Sequence, residues 1–146
     1  MTHLVDTSVW HKYGRYAGVM NVVNELDASG AIFSTCPPVI AEYCFSAKNP
    51  FELTAMADEM AQFYQLDGLS LTQSVHHIQL ALTKQGLHRA VGAADAIIAA
   101  YAIAAEQVLV TCDSDYLHIA RALKKGRSQA QLSVLHISEA GPVTKV

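Results

Sequence analysis

The chain has 146 residues, 51% of them apolar and 16% charged, with a formal net charge of −3. That length and composition fit one folded domain and exclude disorder, which needs low hydrophobicity and high net charge. A pI near 6.1 excludes binding of duplex DNA by bulk charge, so any nucleic-acid partner must be held by local residues or bound cations.

His3–Asp6 is a short apolar start ending in a carboxylate and reads as a first strand. Thr7 and Ser8 form a capping pair for a helix through about Tyr13, broken by Gly14 and Gly18. Val19, Val22, Val23 and Leu26 recur at helical spacing, and Gly30 stops that helix. Ile32–Thr35 is a second strand, and Pro37-Pro38 opens a helix that Asn49-Pro50 ends. Leu53, Met56, Ala57, Met60, Phe63 and Tyr64 mark another helix, and Leu66–Leu69 a third short strand.

A helix from about Thr72 to Gln85 turns Val75, Ile78 and Leu82 inward and stops at Gly86. From Gly92 to Glu106 a further helix carries Ala94, Ile97, Ile98, Tyr101, Ala102 and Ala105 at the matching spacing. Val108–Thr111 is a strand, Ser114–Leu123 a helix, Lys124–Gln131 a polar loop and Leu132–Ile137 a last strand. The alternation predicts an α/β fold: a mostly parallel central sheet of four to five strands with helices on both faces. Residues 1–138 make the domain and 139–146 a short tail.

The longest purely apolar run, Ala96–Ala105, falls well short of the roughly 20 residues a membrane span needs. Asp6 interrupts any secretory h-region, so a cytoplasmic location is expected. Cys36, Cys44 and Cys112 match no zinc spacing and read as small buried hydrophobes.

The acids carry the chemistry. Asp6 ends the first strand, and Asp113 and Asp115 follow the end of Val108–Thr111. In open α/β sheets, sites form outside the carboxyl ends of strands where the strand order reverses. Asp6 and Asp113 meet there if their strands are neighbours. Asp95 opens an apolar helix, and Glu42 lies in the apolar stretch Val39–Phe45. A carboxylate among apolar residues is costly unless something positive meets it. The basic residues are few and distant in sequence, which leaves a divalent metal as the economical partner. Carboxylate oxygens are hard ligands suited to Mg²⁺ or Mn²⁺, and acids gathered round such an ion can clamp a phosphodiester. Taken singly, each acid also has an ordinary reading as a turn, cap or surface residue.

Val5-Asp6-Thr7-Ser8, Val39-Ile40-Ala41-Glu42, Ala94-Asp95 with the apolar run after it, and Thr111-Cys112-Asp113-Ser114-Asp115-Tyr116 resemble the acidic motifs of PIN-domain ribonucleases. Their order and intervals resemble the VapC-type toxins of bacterial toxin–antitoxin pairs, over roughly Leu4 to Ile137. The resemblance implies that Asp6, Glu42, Asp95 and Asp113 are catalytic, and that with Asp115 they bind metal. It places Ser8 and Thr111 as hydroxyls that orient the site. It also implies Mg²⁺ or Mn²⁺, hydrolysis of RNA to 5′-phosphate and 3′-hydroxyl ends, a cognate antitoxin and usually a homodimer. Tyr116 departs from the pattern, where Phe is commoner, and leaves the carboxylates in place.

Two other classes compete. An aspartyl-phosphate phosphotransferase needs an Asp two residues after the first, and Ser8 stands there. A catalytically silent metal-binding module that holds a partner protein has no need of so many converging carboxylates.

Arg121, Lys124, Lys125 and Arg127 form the dense basic cluster, read either as RNA phosphate contacts or as a solvated helix end. Arg89, shortly before Asp95, has the same two readings. Trp10, His11, Lys12, Tyr13, Arg15 and Tyr16 mix aromatic and basic types. They serve either to stack unpaired bases and track a backbone, or as core and dimer contacts. His76 and His77 are adjacent on a helix, point apart and do not read as a ligand pair.

Overall fold

Parallel strands need crossover connections, and this chain supplies helices for each of them. The computed structural model describes residues 1–146. Its strands are β1 (Thr2–Val5), β2 (Ile32–Thr35), β3 (Tyr64–Gln65), β4 (Val108–Thr111), β5 (Val134–Ile137) and β6 (Val143–Lys145). Its helices are α1 (Thr7–Tyr13), α2 (Ala17–Ala28), α3 (Pro37–Cys44), α4 (Pro50–Ala61), α5 (Thr72–Lys84), α6 (Ala93–Ala104) and α7 (Asp115–Lys125). The sheet order is β3-β2-β1-β4-β5-β6. Every neighbouring pair is parallel except β5 and β6.

Alternation along the strands separates two cores. Leu4, Leu109 and Val134 sit in register on one face and pack with Ile78, Ile98, Ala99, Ile119 and Leu123 of α5, α6 and α7. Val5, Val110 and Leu135, one residue further along each strand, face Val9, Val19 and Val23 of α1 and α2. Each such buried aliphatic side chain contributes about 1.5–3 kcal/mol of transfer free energy. A one-residue slip would exchange the two faces, so these pairs pin the register of the strands that carry the acids.

Several boundaries differ from the sequence reading. The sheet has six strands, because part of the segment read as a tail, Val143–Lys145, pairs antiparallel with β5. The return is made at Gly141, at φ +104°, a region that favours glycine. The third strand is Tyr64–Gln65, ahead of the expected Leu66–Leu69, although the Leu66 N–H still donates to Thr35 O at 2.8 Å. α3 ends at Cys44, and Asn49-Pro50 starts the next helix instead of ending this one: Asn49 Oδ1 accepts from the Glu52 N–H at 2.8 Å. The cap of α1 is Asp6, not Thr7 or Ser8. No helix is long and apolar enough to cross a membrane.

Candidate active site

The chain runs from β1 outward through β2 to β3, then crosses back so that β4 lies on the other side of β1. The crevice between the carboxyl ends of β1 and β4 is therefore the point where strand order reverses. The Asp6 N–H donates to Val110 O at 2.9 Å, so the ladder runs to the edge of that crevice. Asp6 and Asp113 follow neighbouring strands, as the sequence argument required.

Asp6 is 4% exposed, and a carboxylate so placed must be hydrogen-bonded. Its Oδ2 accepts from the Ser8 hydroxyl at 2.7 Å, the Thr111 hydroxyl at 3.1 Å and, more weakly, the Ser8 N–H at 3.4 Å. The Ser8 and Thr111 oxygens in turn accept from the N–H groups of Cys112 at 3.0 Å and Asp113 at 2.9 Å. The hydroxyls thus join the turn after β4 to the acid after β1. Asp113 Oδ1 accepts from the Asp115 N–H at 2.9 Å, which fixes the entry to α7.

Asp95, in the first turn of α6, meets this turn. Carboxylate oxygens of Asp95, Asp113 and Asp115 all lie within 4.8 Å of one another, each residue half-buried. The donor set is all oxygen, which fits a hard divalent cation and not the nitrogen and sulfur sets of structural zinc. Asp6 stands outside this group of three. Its Oδ1 lies 3.4 Å from the Tyr116 hydroxyl, which donates to Asp95 Oδ1 at 3.2 Å.

The electrostatics match the geometry. Burial, then the charge of Asp113, raises the proton affinity of Asp95, and the Tyr116 hydrogen bond opposes that rise. Burial also raises Glu42, followed by the charges of Asp6, Asp95 and Asp113. Most of the Glu42 side chain is exposed on α3, so the apolar stretch around it in sequence desolvates it only in part. Burial drives the Tyr116 hydroxyl far above the usual phenol range, with Asp6, Asp95 and Glu42 adding to it, so it remains a donor. Burial likewise pushes Cys36 up to about 12 and Cys112 up to about 11, and neither thiol is a nucleophile at neutral pH.

The basic residues are dispersed. Arg121, Lys124 and Lys125 lie exposed along α7, which starts at Asp115 and ends about 15 Å away by helical rise. Arg15 and Arg89 are also exposed. Lys12 is paired with Glu139 at 3.0 Å. Trp10 is a packing residue, stacked on Phe63 at 4.7 Å with Phe33 at its edge. The Tyr13 hydroxyl donates to Asn24 Oδ1 at 2.6 Å, and His11 stacks on Tyr43, so this aromatic run is largely engaged within the protein. A cavity of about 460 Å³ lies towards the amino ends of the central strands, among Met1, His3, Val108 and Leu135, and none of the acids described above lines it.

Tyr116 is the residue that sequence reasoning undervalued. Its signal was a polar tip on the first inward-facing residue of α7, directly after Asp115.

An α/β domain with a carboxylate-lined crevice at its switch point is thus defined by fold and site together. The chain belongs to the PIN domain family, whose model matches residues 3–122. No curated protein sequence matches it. Among solved structures, VapBC-1 from nontypeable Haemophilus influenzae is similar at a TM-score of 0.66 and 19% identity, covering 82% of this chain and 92% of that one. VapBC2 from Rickettsia felis, bound to a promoter DNA fragment, gives 0.64 and 19%, covering 81% and 92%. VapBC-5 from Mycobacterium tuberculosis gives 0.61 and 18%, covering 93% and 98%. At these identities the likeness establishes the fold.

Proposed function

We propose that the protein is a divalent-metal-dependent endoribonuclease and the toxin of a toxin–antitoxin pair. The observation that carries this reading is the meeting of Asp95, Asp113 and Asp115 within 4.8 Å at the switch point, with Asp6 bound to the same network. Family membership supports nuclease chemistry, and the VapBC relatives support an antitoxin partner. The tail of exposed cations along α7 supports a polyanionic substrate reaching beyond the acids.

Asp95, Asp113 and Asp115, with Asp6 beside them, would hold Mg²⁺ or Mn²⁺. Such an ion supplies acidified water and neutralises charge on the phosphodiester. The chain's own residues do the rest. Ser8 and Thr111 keep Asp6 aimed by donating to Oδ2. Asp113 and Asp115 are held in one turn by the Asp115 N–H. Glu42, the acid of the set most open to solvent, accepts a proton from water entering the crevice. Arg89, Arg121, Lys124, Lys125 and Arg15 provide phosphate contacts, while Lys12 is already paired with Glu139. The working unit is a cytoplasmic homodimer that its antitoxin silences.

Asp6→Asn and Asp95→Asn keep shape and remove charge. Purified variants should lose Mg²⁺-dependent RNA cleavage, and brief expression of the native chain should create reproducible new RNA 5′ ends in cells. Undiminished cleavage by both variants overturns the assignment. Tight binding of metal and partner with no RNA cut under any divalent ion would instead identify a silent interaction module.

A further inference from the structure

The acids of the crevice repel one another, and no lysine or arginine lies among them. The ion pair present in the fold, Lys12 with Glu139, involves none of the five acids. What opposes the repulsion is a set of hydrogen-bond donors, unequally shared. Asp6 Oδ2 has the Ser8 and Thr111 hydroxyls. Asp95 has one protein donor, the hydroxyl of Tyr116, at 3.2 Å from Oδ1, and the same hydroxyl stands 3.4 Å from Asp6 Oδ1. One proton therefore faces two carboxylates that belong to elements 89 residues apart in the chain, the end of β1 and the start of α6.

The ring fixes where that proton is. Tyr116 is fully buried and belongs to the core formed by α5, α6 and α7 with the sheet. Its hydroxyl cannot swing away without unpacking the ring. Carboxylate oxygens carry lone pairs to spare, so Oδ1 of Asp95 can accept this hydrogen bond and still face a cation. Donors behind metal-ligating groups orient them, and their loss typically weakens metal affinity about 10–100-fold.

We propose that Tyr116 is a positioning residue whose hydroxyl clamps Asp95 toward Asp6 and so presets the acid cluster for a divalent cation. This rests on the metal-dependent reading above. Phe in the same place would fill the same space and leave Asp95 without a protein donor. A tyrosine that merely satisfies its own buried hydroxyl would influence stability and leave cation affinity alone.

The test is Tyr116→Phe in the full chain, titrated with Mn²⁺ alone by calorimetry, with the electron paramagnetic resonance spectrum of bound Mn²⁺ as a second readout. The variant should keep the native circular dichroism spectrum, bind Mn²⁺ about 10–100-fold more weakly and show an altered resonance line shape. In RNA cleavage at saturating Mn²⁺, kcat should fall while KM holds. An affinity equal to or tighter than that of the native chain overturns the proposal, the tighter case meaning that the hydroxyl competes with the cation. If the native chain itself binds no Mn²⁺, the metal-dependent reading fails and this inference fails with it. Should Tyr116→Phe fold poorly, the native chain still decides the matter. The Tyr116 ring signals should shift on titration with diamagnetic Mg²⁺ in step with those of Asp95, and ring signals indifferent to the ion while those of Asp95 move would overturn the proposal.

Discussion

Thr111 performs two tasks with one oxygen. Its hydroxyl donates to Asp6 Oδ2 at 3.1 Å and accepts from the Asp113 N–H at 2.9 Å. The Ser8 hydroxyl lies 3.3 Å away, but its proton is also committed to Asp6. Thr111→Val preserves the shape, leaves the Asp113 N–H without its acceptor and takes from the buried Asp6 carboxylate one of its donors. The expected loss is about 1–3 kcal/mol in denaturant unfolding, with weaker Mn²⁺ binding, and Thr111→Ser should restore most of both. Unchanged stability in Thr111→Val would show the hydroxyl to be idle. Asp6, Asp95, Asp113 and Asp115 were legible in sequence because each sits at the edge of an element, where a carboxylate meets the crevice. The hydrogen bonds were not. Ser8 and Thr111 are 103 residues apart, and nothing local in either stretch signals that one acid gathers both. Glu42 misled in the other direction: apolar neighbours in sequence point elsewhere on a helix, and the carboxylate is on the rim.

Among the elements, legibility followed length. The long periodic helices α2, α5 and α6 stand close to where their apolar spacing placed them. β3, with two residues, and β6, with three, are too short to display a period. They exist because neighbouring backbone offers them partners. β6 also depends on a close approach that no sequence pattern announces. A Cβ added at Gly18 would stand 2.5 Å from the Gly141 backbone nitrogen and 2.6 Å from the Ala140 carbonyl carbon. Gly18→Ala should therefore push the 138–142 turn off α2 at a cost of about 1–3 kcal/mol. Faster amide exchange should be confined to β6 and that turn, and native protection there would contradict the packing described. Asn49→Ala, which removes the α4 cap, should cost about 1 kcal/mol. Because α4 holds none of the acids, RNA cleavage should persist at the native rate at temperatures where the variant stays folded.

For the whole molecule, the acid crevice is a region where folding works against charge. The groups facing Asp95 are Asp113 and Asp115 from the β4–α7 turn, Asp6 from β1, and the Tyr116 hydroxyl from α7. Only the last lowers its proton affinity; burial and the acids raise it above the ordinary 3.8, and Glu42 rises above 4.5 for like reasons. In the window above those ordinary values the folded chain holds more protons than the unfolded chain, so stability falls as pH rises through it and the penalty remains at neutral pH. Buried His3, lowered from its ordinary 6.5 by desolvation, acts in the opposite sense over the same range. With His3 replaced by Gln, the metal-free protein should therefore melt at a higher temperature when taken from pH 7 to about pH 5, before general acid unfolding begins. Saturating Mn²⁺ should reverse the slope. At 100 times its dissociation constant a ligand adds about 2.7 kcal/mol, and this gain should be full at neutral pH and fade in the same window as protons displace the ion. The two melting curves should converge on acidification. In Asp95→Asn the metal-free curve should flatten and the Mn²⁺ response shrink, since the variant removes both the repulsion and a ligand. Parallel curves with and without Mn²⁺, or a metal-free His3→Gln chain that loses stability steadily below pH 7, would mean that these carboxylates do not share one field.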